Sequence, residues 1–426
     1  MNHLKTTIFI IVSMYLFSPC LAQKSKSEKR TLLDNWNKLD RFVSLAKKKQ
    51  PDLSFYTALV YNGKIISEKQ MGYANIKNKV KMNRHMVHMW GSVSKLFTTV
   101  AILQLVEKGQ LKLTDSITHY FPNLGKKTGD FAKINQVKIH HLINHNSGLS
   151  LTKAFRTVAA KIKKEEKKFR RAENEEFLPY LELAEQTFPA GEKYEYSNMG
   201  YSLLGLVIEK VSGIKFKFYI KQNILKPLRM KSTSYGPLSK KMMKKFAAYY
   251  GYYDQDKDGK REKLSHISNY SQGILAANGG IRASPNDMVK FMSFLRFRKS
   301  NKRAEKVLKR ATLQKYLFDA DLDIIDNQNV VFLRKNKGTK FYRVNGFRVR
   351  VEKKNIGIGH SGKVATYISY FIFNKKMPFG VMMASNIYSD PKGTPYKLID
   401  KLSWLITKFA VNGDFGQLIN LNENEF

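Results

Sequence analysis

Apolar residues recur at helical spacing over residues 29–48. They do so again over residues 92–108, where Leu96, Val100, Leu103 and Val106 mark one stripe and Gly109 follows as a stop. Between these lie two strand patterns, residues 55–61 and 64–71. Asn62-Gly63 joins them, the pair that a two-residue hairpin turn requires. Helical patterns then dominate from residue 92 to about residue 302, with loops over residues 144–150 and 189–198. Strand patterns return at residues 342–352, 356–359, 365–373 and 380–385, and a last helix over residues 396–409 is expected to pack with the first. The sheet therefore draws on both ends of the chain. We expect an α+β fold, an antiparallel sheet flanked by helices with a mostly helical domain inserted. The expected boundaries are 1–22 for a leader, 23–85 with 335–426 for the sheet domain, and 86–334 for the helical domain.

The leader reads as a secretory signal. Lys5 supplies positive charge, residues 8–17 are mostly apolar, and Cys20-Leu21-Ala22 precedes Gln23 as a small-residue cleavage site. This predicts an exported protein, periplasmic or extracellular. Acylation of Cys20 as a lipoprotein is the alternative, and Pro19 fits it poorly. No other stretch is apolar for 18 residues, so no membrane-spanning helix is expected once the signal is removed. Cys20 is the only cysteine, so cleavage would leave no thiol chemistry.

A hydrophobic content of 43% fits a folded globular chain. The formal net charge is +41. The charge is spread along the whole chain without a nucleic-acid-binding motif, and export also argues against nucleic acid. The plainer reading is a solvated lysine-rich surface, as in the mixed-charge run 161–168. The sharper one is attraction to anionic cell-envelope polymers, lipid headgroups or an acidic substrate. Residues 254–259, Asp-Gln-Asp-Lys-Asp-Gly, mimic a calcium loop. Ser265 stands where such a loop needs its bidentate Glu, so a hairpin turn is preferred and no metal is expected.

Three distant strings carry candidate chemistry. In Ser92-Val93-Ser94-Lys95, three-residue spacing puts Ser92 and Lys95 on one helical face, with Ser92 at the N-terminus where the dipole favours an oxyanion. A serine hydroxyl needs such a neighbouring base. Apolar neighbours would lower the pKa of Lys95 and free its lone pair. In Tyr196-Ser197-Asn198, Tyr196 is a second candidate base whose phenolate an adjacent ammonium would favour. Asn198 is placed to hold Lys95 and a substrate carbonyl. The choice between Lys95 and Tyr196 stays open. In His360-Ser361-Gly362, an edge strand beside the site would pair with an extended substrate, and the backbone N–H groups of Lys363 and Ser92 are the candidate oxyanion hole.

With these strings in hand the chain resembles the serine β-lactamase-like superfamily, in the branch of class C β-lactamases, D-Ala-D-Ala carboxypeptidases and related esterases. Gly72-Tyr73-Ala74-Asn75, the run His141 to Leu149, Phe188-Pro189-Ala190-Gly191 and the run Ala277 to Ser284 with Asp287 resemble further motifs of that branch. The resemblance implies Ser92 as nucleophile, Lys95 and Tyr196 as the proton-transfer pair, Asn198 as substrate ligand, and residues 360–362 as a wall strand. It implies no organic cofactor and no metal. Two departures bear on substrate. His360 replaces the lysine of the class C Lys-Thr-Gly motif, as in some carboxypeptidases and esterases. After Gly362 the chain reads Lys363-Val364-Ala365-Thr366-Tyr367 instead of a glycine-rich run, and the β-branched Val364 and Thr366 are expected to narrow the pocket rim.

The expected function is an exported serine hydrolase that forms an acyl-enzyme on Ser92 and cleaves an amide or ester of a small molecule or peptide. It would be β-lactamase-related, penicillin-binding-protein-like or esterase-like. The alternative is a non-catalytic envelope-binding protein that keeps the fold.

Overall fold

The computed structural model describes residues 26–167, 170–253, 262–266, 271–296, 301–319, 330–336, 338–386 and 394–416. The leader with Cys20 and the acidic run 254–259 lie outside the described residues.

Eight strands form one antiparallel sheet. They are β1 (Phe55–Tyr61), β2 (Lys64–Met71), β3 (Val330–Asn336), β4 (Thr339–Val344), β5 (Phe347–Glu352), β6 (Asn355–Val364), β7 (Tyr367–Asn374) and β8 (Phe379–Ser385). Their spatial order is β3-β4-β5-β6-β7-β8-β1-β2, so the N-terminal hairpin adds to the C-terminal strands through β1 and β8. Two interior strands, β1 and β8, are buried along their whole length, because both faces of the sheet are covered there. On one face pack the helix α1 (Leu39–Lys49) and the last helix, α4 (Thr394–Asn412); Phe42, Leu402 and Phe409 belong to that core. On the other face lies the mostly helical part of the chain, whose core centres on α2 (Ser94–Glu107) and α3 (Asn198–Ser212). Helix α2 is buried from Ser94 through Leu105 on all sides, its mostly apolar residues interrupted by polar ones that bond inward, such as Lys95, Thr98 and Gln104. Phe97 stacks on Phe291 with ring centroids 3.7 Å apart.

Three local readings need correction. Residues 342–352 are not one strand. Asn345 and Gly346 take positive φ (43° and 80°) and turn the chain between β4 and β5. This is the same Asn-Gly chemistry that joins β1 to β2. The segment 356–373 breaks at Ala365 (φ 49°), not near residue 360, so His360-Ser361-Gly362 lies inside β6. And β6 is an interior strand. Its ladder with β5 nevertheless ends at Arg348↔Gly359, so residues 360–364 extend beyond β5. Among the described residues no helix is long and apolar enough to cross a membrane.

Candidate active site

Ser92 sits in a 3-10 turn, Gly91–Val93, that leads into α2, and not in the first turn of an α-helix as the spacing suggested. Gly91 has φ 50°, which ends the extended approach and forces this tight entry. The turn is held on three sides. The Trp90 amide donates to Ile281 O at 3.0 Å and its indole to Ala283 O at 2.9 Å. Ser369 Oγ donates to Trp90 O at 2.9 Å. Ser94 Oγ donates to Gly91 O at 2.6 Å and accepts the Ile281 amide at 2.9 Å.

One helical turn on, Lys95 is fully buried. Its Nζ lies 3.2 Å from Ser92 Oγ, 2.8 Å from Asn198 Oδ1 and 2.8 Å from the backbone oxygen of Asn278. Burial first, and the positive charges of Arg343 and Arg348 second, hold its pKa well below the ordinary lysine value. The three oxygens would take the three N–H donors of an ammonium; in the neutral amine that burial favours, two N–H groups keep the acceptors at 2.8 Å and the lone pair faces the Ser92 hydroxyl.

Tyr196 is brought to the same place by His145. The His145 ring lies 4.3 Å from the Tyr196 ring, its Nδ1 accepts the Ser197 amide at 3.1 Å, and its backbone oxygen accepts the Glu195 amide at 2.8 Å. Ser197 then caps α3, accepting from the Gly200 amide at 3.0 Å. Lys95 Nζ stands 5.0 Å from the Tyr196 ring centre. The Tyr196 hydroxyl is buried without a hydrogen-bond partner of ordinary geometry. Burial raises its pKa, and the nearby Ser92 hydroxyl and the arginine charges only partly offset this. This reverses the expected phenolate. At neutral pH Tyr196 is a phenol, because desolvation outweighs its cationic neighbours.

Ser361, Gly362 and Lys363 line the crevice with Ser92, Tyr196 and Asn198; its volume is about 350 Å³. A Cβ built on Gly91 would come within 2.9 Å of the Lys363 nitrogen, so β6 passes directly beside the serine turn. His360 is placed differently. It is buried behind the crevice, with Nδ1 on Ser361 O at 2.5 Å and Nε2 facing an Arg343 N–H at 3.0 Å. Burial and the charges of Arg348, Arg343 and Lys95 hold it well below the usual imidazole range, so it is neutral. Val364 and Thr366 do not narrow the rim. The strand ends at Val364, and Thr366 is buried, donating to Asn386 O at 3.2 Å.

Sequence reasoning missed four participants. Asn278 contributes a backbone carbonyl, which no residue type announces. His145 falls inside a motif noted only for its resemblance. Arg343 and Arg348 flank the β4–β5 turn. The tip of that turn docks on the helical side, where the Gly346 amide donates to Asn144 Oδ1 at 3.1 Å. The Asn345-Gly346 pair, read as a turn, would have placed both arginines at one end of a hairpin. Among the described residues no group of acidic, histidine or cysteine side chains has a metal-binding arrangement.

Comparisons with known proteins place the fold and the family. The amino-acid sequence is 30% identical over 200 residues to the N-acetylmuramyl-L-alanine amidase of Bacillus subtilis (strain 168), covering 45% of this chain and 44% of that protein. It is 30% identical over 178 residues to protein flp of Staphylococcus aureus (strain NCTC 8325 / PS 47), covering 42% of this chain and 34% of that one. The chain thus spans less than half the length of these relatives. In structure it is similar to a penicillin-binding protein homologue from Pyrococcus abyssi, with a TM-score of 0.67, 22% identity, and 92% of this chain and 79% of that one covered. It is also similar to the D-amino acid amidase of Ochrobactrum anthropi SV3, with a TM-score of 0.65, 20% identity, and 85% and 96% covered. At these identities the structural likeness is one of fold. The model of the Beta-lactamase family matches residues 40–400, and on that match, spanning most of the sequence, the chain belongs to the Beta-lactamase family of serine hydrolases.

Proposed function

We propose that the protein is an exported hydrolase that cleaves an amide or ester through an acyl-enzyme on Ser92. The observation that carries this reading is the fully buried Lys95 Nζ, 3.2 Å from Ser92 Oγ and anchored by Asn198 Oδ1 and Asn278 O. In acylation the Ser92 proton passes to Lys95 Nζ as Oγ bonds to the substrate carbonyl carbon. The backbone N–H groups of Ser92 and Lys363 receive the oxyanion. The Tyr196 phenol, protonated at neutral pH, gives its proton to the leaving amine or alcohol as the carbon–heteroatom bond breaks, and Lys95 restores it. Water then releases the acyl group by the same path in reverse. Both an N-acetylmuramyl-L-alanine amidase and a D-amino acid amidase among the similar proteins favour an amide.

A fluorophosphonate probe tests the mechanism. The expected result is one covalent label, located by peptide mass spectrometry on the segment containing Ser92. A label on another residue would overturn the role of Ser92, and no label at all would favour the non-catalytic envelope-binding alternative. That alternative expects salt-sensitive adhesion to anionic polymers instead, as the +41 charge allows. Export is tested separately. N-terminal sequencing of protein from the cell envelope or medium is expected to start at Gln23, and protein retained in the cytoplasm with residues 1–22 intact would end that part of the proposal.

A further inference from the structure

Beside the nucleophile crevice lies a second hollow of about 470 Å³, within the range of small-molecule sites. Arg348, Ser361 and Tyr370 line both cavities, so the two share a wall. Gly357 and Gly359 of β6 form part of its floor; Gly357 lets Val411 of α4 pack directly on the strand, at 2.8 Å from where a Cβ would stand. Thr407 and Val411 of α4 close it from above.

Its charge is one-sided. Arg334, Arg343, Arg348 and Arg350 line it, and no Asp or Glu does. Arg343 is fully buried, yet its guanidinium bonds only to neutral groups, namely the Tyr194 hydroxyl, Gly346 O and His360 Nε2. Arg348 donates to the Ser361 hydroxyl. Arg350 Nε is buried without a partner. Arg350 pairs with Glu352 Oε2 at 3.8 Å, while Lys408 engages the other oxygen of that carboxylate. Arg343 is therefore a buried cation without a counter-charge, a costly state that a ligand anion relieves. Apart from His360, Ser361 and Thr407, the rest of the lining is apolar or aromatic. Arg334 and Arg350 lie 5.0 and 5.5 Å from the Phe341 ring centre, and Ile372 and Val411 complete the wall.

We propose that this hollow is a subsite for an amphipathic anion, a hydrocarbon or aromatic arm of the substrate that lies beside Gly359 with its carboxylate among Arg343, Arg348 and Arg350. The link to catalysis rests on the hydrolase reading above; the binding does not. Decanoate is the probe, and the Ser92→Ala protein is its target. Trp36 and Trp90 are fully buried, whereas Trp404 is exposed with its ring 5.7 Å from the Arg350 guanidinium, so tryptophan fluorescence reports the mouth of the hollow. Decanoate is expected to give a saturable fluorescence change and a matching calorimetric heat. Arg350→Gln, which removes a charge-assisted bond, and Thr407→Phe, which fills the hollow, are each expected to weaken binding about tenfold or more. Decanol is expected to bind far more weakly. No saturable change, equal binding of decanol, or unaltered affinity in both variants would overturn the proposal. In wild type, decanoate is expected to slow fluorophosphonate labelling competitively. Binding to Ser92→Ala without any labelling of wild type would sink the hydrolase reading and leave the subsite standing.

Discussion

Replacing Lys95 with methionine is expected to slow acylation of Ser92 by roughly 10²–10⁴-fold, the usual loss when a positioned base is removed. Methionine keeps the length and fills the same buried space, so the effect is chemical and not a cavity. The substitution strands one buried acceptor, Asn278 O, at a cost of about 1–3 kcal/mol. It also removes a group whose charged form the interior disfavours. The melting temperature is therefore expected to move modestly while labelling collapses. The pH dependence separates this from general damage. Protonation consumes the lone pair that takes the Ser92 proton, so the wild-type acylation rate falls as pH drops through the lysine's pKa. That pKa lies well below 10.5, because burial and the two arginine charges oppose the ammonium, so the acid limb sits below the range of an ordinary lysine. In Lys95→Met this limb is expected to vanish from the residual rate. A near-normal rate, or the same limb in both proteins, would remove Lys95 from the base role.

The sequence showed the reacting groups better than their surroundings, and the reason is physical. Ser92, Lys95, Tyr196 and Asn198 fall in short strings in which residue type and spacing together carry chemistry. The hairpin at Asn62-Gly63 was legible because those two residues tolerate positive φ. Asn345-Gly346 carries the same signal, yet the strand-forming residues on either side hid the turn within a single predicted strand. Arg343 and Arg348 were harder to see. The chain has 75 lysines and arginines, most of them unremarkable by composition, and only the fold selects two of them to face a buried amine. The expected state of Tyr196 failed for a related reason. A neighbouring cation is visible in a motif, but the depth of burial that outweighs it belongs to the tertiary structure.

The close passage of β6 past the serine turn leads to the second large effect. Gly362→Ala is expected to destabilise the fold by about 1–3 kcal/mol, as overpacking does, and to slow labelling of Ser92 by about 10²-fold, as small misplacements of reacting groups do. The added Cβ would stand 1.9 Å from Trp90 O and 2.7 Å from Ser369 Oγ. Neither neighbour can yield cheaply. Trp90 O accepts from Ser369 Oγ at 2.9 Å and from the Val93 amide at 3.2 Å, so it is the acceptor that closes the 3-10 turn on which Ser92 rides. Relief must come from separating β6 from that turn, which draws the Lys363 nitrogen away from Gly91 and opens the candidate oxyanion site. Lys354→Ala serves as the control. Its side chain is exposed in the turn between β5 and β6, outside the crevice, so melting and labelling are expected to stay near wild type. Thermal unfolding followed by circular dichroism, with labelling rates measured well below the transition, separates the two effects. A Gly362→Ala protein that melts and labels like wild type would show that the strand does not press on the turn, and the two-amide oxyanion site would lose its geometric support.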